Sequence, residues 1–152
     1  MNIMSSPAAG ELVAVGIQPG EMLLESIEDA CRRRDIRNGV VVSGIGTLKT
    51  CRLHYITHTD FPPADRFFTL EKPLELLSVS GIIADGQPHL HVVVSCGESE
   101  VYAGHLEPHS EVAYLAEVAI LKCNSLAMTR RLDDRRGVKL LGPAQPAAGS
   151  RQ

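Results

Sequence analysis

The chain has 152 residues, 44% of them hydrophobic, with 15 Lys and Arg against 18 Asp and Glu. That size suits one globular domain able to bury a core without staples, and the slightly acidic balance excludes a global attraction to phosphate backbones or anionic lipid. An aromatic content of 4% without Trp argues against a stacking platform for single-stranded nucleic acid, and no apolar run nears the roughly 20 residues of a membrane span.

The opening MNIMSSPAAG lacks the charged and apolar regions of a signal peptide, so a cytoplasmic protein is expected. Residues 1–9 read as a flexible tail and 142–152, rich in Pro, Ala and Gly, as another, leaving 10–141 as the folded domain. ELVAVGI from Glu11 is a strand and QPG a turn. In EMLLESIEDACRRRDIRNG the residues Leu23, Leu24, Ile27, Ala30 and Cys31 form one helical stripe, with Arg32, Arg33 and Arg34 towards the end that favours cations and Asn38-Gly39 as the stop. VVVSGIGTL, CRLHYIT, FFTL, LELLSVSGIIA, HLHVVVS and VYAGHLE follow as short β-branched or alternating runs between turn signals. SEVAYLAEVAILKC fits a helix or a loop and strand, and the strand is favoured over Glu117 to Lys122. The expected fold class is α+β, a predominantly antiparallel sheet with one main amphipathic helix. Cys31, Cys51, Cys96 and Cys123 are scattered without a C-x-x-C pair and read as reduced, mostly buried small hydrophobes.

The chemistry concentrates in PHLHVVVS. On a strand, His89 and His91 project from the same face, about 6.5 to 7 Å apart along the chain. A three-residue loop Gly97-Glu98-Ser99 would pair Cys96 with Glu100 and set His91 opposite His105. A loop of two or four residues without a bulge would turn His105 to the other face. Three neutral imidazoles with a fourth position left to water are the ligand set of a catalytic zinc, and nickel, copper or iron also accept nitrogen donors. The bland alternative is that His89 lies at an exposed strand start while His91 and His105 are separately hydrogen-bonded. His54 and His58 are taken as surface or interface residues, and His109 as a loop residue. Gly44 and Gly46 in SGIGTL lack the Gly-Lys-Ser/Thr of a phosphate loop and mark a close backbone approach or bulge.

The series LELLSVSGIIADGQPHLHVVVS…VYAGHLEPHSEVAYLAEVAIL resembles the plants-and-prokaryotes-conserved (PPC) domain, whose prokaryotic members carry similar E-L-L-S-x-x-G, H-x-H and G-H-L motifs, and the strand, helix and G-I-G strand of residues 10–48 fit it too. The resemblance spans roughly residues 10–132 and implies an α+β domain assembled as a homotrimer. The same fold family includes acetolactate decarboxylase, and by similarity His89, His91 and His105 fall on its zinc-ligand positions. Ala103-Gly104-His105 departs from the usual Gly-Gly-His. Glu117 matches a position where the family often has an acid: it would serve as a catalytic acid or base beside the ion, or else point outward as an ordinary strand carboxylate.

Two functions follow as expectations. The first is a zinc-binding trimer that binds or transforms a small carboxylate or carbonyl compound, with a metal-dependent lyase or hydrolase as the enzyme class. The second is a DNA-binding regulator, since family members are commonly described so. Against it, no Arg-Gly-Arg-Pro core is present, and the basic runs CRRR, TRR and DDRR read as solvated faces.

Overall fold

The computed structural model describes residues 1–6 and 10–144. In chain order the elements are β1 (Glu11–Ile17), α1 (Leu23–Arg33), β2 (Gly39–Ile56), β3 (Asp65–Ala84), β4 (Gln87–Cys96), β5 (Glu100–Leu106), β6 (Val112–Lys122), β7 (Met128–Asp133) and β8 (Val138–Pro143). The α+β class is as expected, with antiparallel strands throughout.

Several short runs fuse into long strands. VVVSGIGTL and CRLHYIT are both β2, 18 residues long, and FFTL and LELLSVSGIIA are both β3, 20 residues long. Pro73 does not end β3 because it falls where the β2–β3 register shifts, from Leu48 opposite Leu74 to Thr50 opposite Glu71. A residue without an N–H is tolerated at such a bulge. The ambiguous stretch is a strand from Val112, five residues earlier than expected, paired with β1 on one side and β2 on the other. Its Ala116, Val118 and Ile120 point inward and are buried, while Leu115 and Glu117 face out.

The six-stranded sheet has the order β1-β6-β2-β3-β4-β5, and the far end of β2 also pairs with β5 through Leu53–Leu106 and His54–His105. Strands β2 to β5 therefore close on themselves. Leu53, Leu74, Leu76, Val79, Leu90, Val92, Val94 and Leu106 are buried in one core, which also takes the Leu23, Ile27 and Cys31 face of α1. Closure requires Gly104: a Cβ there would meet the His54 carbonyl oxygen at 2.7 Å, closer than real contacts allow. Gly44 marks another close approach, as its spacing suggested: a Cβ there would meet the Val79 side chain at 2.5 Å.

The helix stops earlier than Asn38-Gly39. Asp35 takes a left-handed backbone (φ 47°), Asp35 N–H donates to the Arg32 carbonyl and Ile36 N–H to the Cys31 carbonyl. This is a Schellman ending with Asp in the usual glycine place, and buried Ile36 packs beyond it. Asn38 instead serves the interior: its Oδ1 accepts the Met128 N–H at 2.9 Å, which fixes the start of the separate β7–β8 hairpin. That hairpin had no counterpart among the expected elements. Strand β8 runs through Pro143, past the expected boundary at 141. The expected tails fall partly on residues 7–9 and 145–152, outside the described residues, while Asn2 donates to the Leu141 carbonyl at 3.1 Å.

Gly104→Ala should lower stability by about 1–3 kcal/mol, the usual cost of overpacking. Urea unfolding monitored by circular dichroism measures it. An unchanged midpoint would mean that β2 and β5 do not approach this closely.

Candidate metal centre

Strand β4 alternates strictly across its first half. Leu90, Val92 and Val94 are buried, so His89 and His91 must face outward. The turn after Cys96 is the three-residue loop Gly97-Glu98-Ser99, with Gly97 in the left-handed region (φ 61°), and the register runs Cys96–Glu100 to His91–His105. All three imidazoles therefore lie on one face, as the loop length implied.

Ring centroids of His89 and His91 are 5.6 Å apart, those of His89 and His105 4.7 Å, and those of His91 and His105 5.4 Å. His105 stands edge-on to the other two, at 87° and 84°. One nitrogen from each ring lies within 4.8 Å of the others, whereas two nitrogens on one tetrahedral zinc are about 3.3 Å apart. Small ring rotations bridge that difference. No nitrogen of the three rings hydrogen-bonds to a protein group among the described residues, which counts against the separately hydrogen-bonded alternative.

Two of the three imidazoles, His89 and His105, are held towards their neutral form. Burial, followed by the nearby charges of His54, His89 and His91, pushes His105 down to about 4. His89 is also lowered, by burial first and then by Arg130, His91 and His54. Metal ligation requires neutral imidazole, so these shifts favour an ion over protons at neutral pH. The donor set thus fits zinc or another divalent transition metal in chemistry and number.

His54 belongs to this neighbourhood and not to a plain surface, contrary to expectation. Its ring stacks on His105 with centroids 4.4 Å apart, and Phe67 lies against its other surroundings at 5.0 Å. His54 Nδ1 sits 2.6 Å from Glu107 Oε1, so a proton on Nδ1 is donated to that carboxylate. His54, His105 and Glu107 form a second group with ligand spacing. No local pattern reveals it, because β2 meets β5 only through the closure of the sheet. His58 is exposed in a bend, and His109 is a loop residue held by Glu25, whose Oε1 accepts the His109 N–H at 2.9 Å.

Glu117 lies elsewhere. It is exposed on β6, opposite Ile45 of β2 and Gly16 of β1, and belongs to neither group of ligating residues. Nor do the histidines line the larger clefts: one of about 840 Å³ runs between β1 and α1, and one of about 790 Å³ is walled by Thr47, Lys49, Glu71, Lys72 and Tyr114.

Known proteins share this architecture. A metal-containing protein from Archaeoglobus fulgidus superposes with a TM-score of 0.78 at 26% identity, covering 92% of this chain and 98% of that one. A plant- and prokaryote-conserved (PPC) protein from Pyrococcus horikoshii gives 0.77 at 26% identity, covering 94% and 100%. A Bacteroides thetaiotaomicron protein whose description suggests DNA binding has the same fold at 20% identity, TM-score 0.75, covering 92% and 97%. Among curated proteins, "Bifunctional protein GlmU" of Synechococcus sp. (strain JA-2-3B'a(2-13)) is 27% identical over 143 residues, which is 94% of this chain and 22% of that protein. The chain thus spans about a fifth of the length of that relative. The model of the Plants and Prokaryotes Conserved (PCC) domain matches residues 4–124, from before β1 to just past β6, and so takes in every histidine of the cluster: the chain belongs to the PCC domain family.

Proposed function

We propose that the protein holds a divalent transition metal, zinc by preference, on His89, His91 and His105, and there binds a small carboxylate or carbonyl compound. One observation carries this reading: three imidazoles from two paired strands converge with no hydrogen-bonding partner among the described residues. Bound there, such an ion would polarise a carbonyl or acidify water. The chain's contribution is to present three neutral nitrogens on a rigid hairpin and leave the outer side open to ligand.

The group His54, His105 and Glu107 is the weaker ligand set, because His54 already engages Glu107 through a hydrogen bond. Its role in this reading is to brace His105 by stacking. Nucleic acid fits less well than a small ligand. Arg32 and Arg33 pair with Asp29, Arg34 with Glu11 and Arg136 with Asp133, so much of the basic runs' charge is already answered within the chain.

The reading includes a homotrimer. Leu12, Val42, Ile45 and Leu115, all about half exposed or more, lie on the outward side of β1, β2 and β6 around Glu117. An apolar sheet face of this kind is what a subunit contact buries.

Protein purified without a histidine tag should carry near one zinc per chain by elemental analysis. His91→Ala should weaken zinc affinity at least about tenfold, while Glu107→Gln retains it. Equal zinc content in wild type and His91→Ala would refute the site, and loss in Glu107→Gln alone would move it to the second group. Sedimentation should give three times the 16.4 kDa chain mass, and Ile45→Lys should dissociate that species. A wild-type monomer at micromolar concentration would remove the trimer.

A further inference from the structure

The β7–β8 hairpin lies beyond residue 124, where the family match ends, yet it reaches the histidine face. Arg130 on β7 makes the connection. Its Nη2 donates to the Ile82 carbonyl at 2.7 Å and its Nη1 to the Gln87 carbonyl at 3.1 Å. Ile82 is the cross-strand partner of His89, and Gln87 is two residues before His89 on β4. The guanidinium is therefore pinned at the end of the β3–β4 hairpin, beside the first histidine of the cluster.

What this cation lacks is an anion. Arg32, Arg33, Arg34, Arg37 and Arg136 each have a carboxylate within ion-pair distance, but among the described residues none lies so close to Arg130. Arg130 is also half-buried, a setting in which an uncompensated charge is costly, and burial works against its protonated form. Two of its N–H groups serve carbonyls, and the fork geometry of the remainder suits a carboxylate.

We propose that Arg130 is the anion anchor of the histidine site: the hairpin appended to the domain supplies a guanidinium that receives the carboxylate of a small ligand whose neighbouring oxygen reaches the ion. The choice of a carboxylate over a neutral carbonyl compound comes from Arg130. The metal half rests on the reading given under Proposed function.

Lactate and lactamide serve as matched probes, since they differ in charge and not in the hydroxyl oxygen. Calorimetric titration of zinc-loaded protein should show lactate preferred over lactamide by at least about tenfold, the worth of one charge-assisted contact. Arg130→Gln should cut the preference several-fold, to what the ion alone gives, with zinc content unchanged, and Arg130→Lys, which keeps the charge and loses the fork, should keep more of it. Equal affinity for the two probes in the wild type, or an undiminished preference in Arg130→Gln, would overturn the proposal. Should Arg130→Gln unfold the hairpin, the lysine variant decides: a preference equal to wild type removes any role for the fork. Metal-free wild-type protein separates the two ideas. If no zinc binds, the metal reading falls alone, and Arg130 is judged by whether lactate, and not lactamide, shifts its Nε–H resonance.

Discussion

Register between β4 and β5 governs the histidine face, and one short turn sets it. Gly97 adopts a left-handed backbone that few other residues take without strain, so the chain reverses within three residues and Cys96 meets Glu100. From there the period of two does the rest. Each pair along the ladder keeps its face, until His91 stands opposite His105 and His89 completes the group. A slip of one residue would bury His91 among Leu90 and Val94 partners and expose the core side of β4, so hydrophobic burial and turn geometry enforce the same answer. The convergence of the rings is thus a by-product of core packing on the opposite side of the strands.

Closure of the sheet then decides what surrounds the rings. Because β2 crosses back to pair with β5, His54 is brought against His105, with Phe67 beside His54 and Glu107 hydrogen-bonded to it. Gly104 is the condition for that approach. A motif that looks like a ligand signature, glycine followed by histidine, therefore has a structural half and a chemical half. The glycine lets a third strand come near, and the histidine takes advantage of the shelter, which is why its proton affinity is reduced most.

Much of this was legible in the residues, and the failures share a cause. Strand β1, the helix stripe and the His91–His105 register depend on neighbours within about twenty positions, and pattern and turn chemistry suffice there. FFTL and LELLSVSGIIA read as separate strands because a local rule cannot know that a bulge at Pro73 will join them. Asn38-Gly39 looked like a helix stop, whereas Asp35 ends the helix and Asn38 is committed to a backbone N–H ninety residues away. His54 was read as a surface or interface residue, and its place beside His105 went unseen, because its partner strand is found only after closure. The β7–β8 hairpin is short, polar and half-exposed, so its residues carry little periodic signal.

The two sides of the site differ in stiffness, and that difference has a physical origin. The histidines sit on strands of a closed sheet, where moving one requires breaking ladder bonds on both sides and exposing the core beneath. A two-stranded hairpin, by contrast, is marginal without support, and β7–β8 leans on the domain through the Met128–Asn38 bond, the two carbonyl contacts of Arg130 and the contact of Asn2 with Leu141. Local opening draws on the least stabilised elements first. An ion held by the histidines would therefore remain while the hairpin moves, and a carboxylate joining Arg130 to that ion would tie the mobile element to the rigid one. A carboxylate bridging Arg130 and that ion would in this way couple ligand binding to hairpin order, since it would add a contact between the hairpin and the sheet.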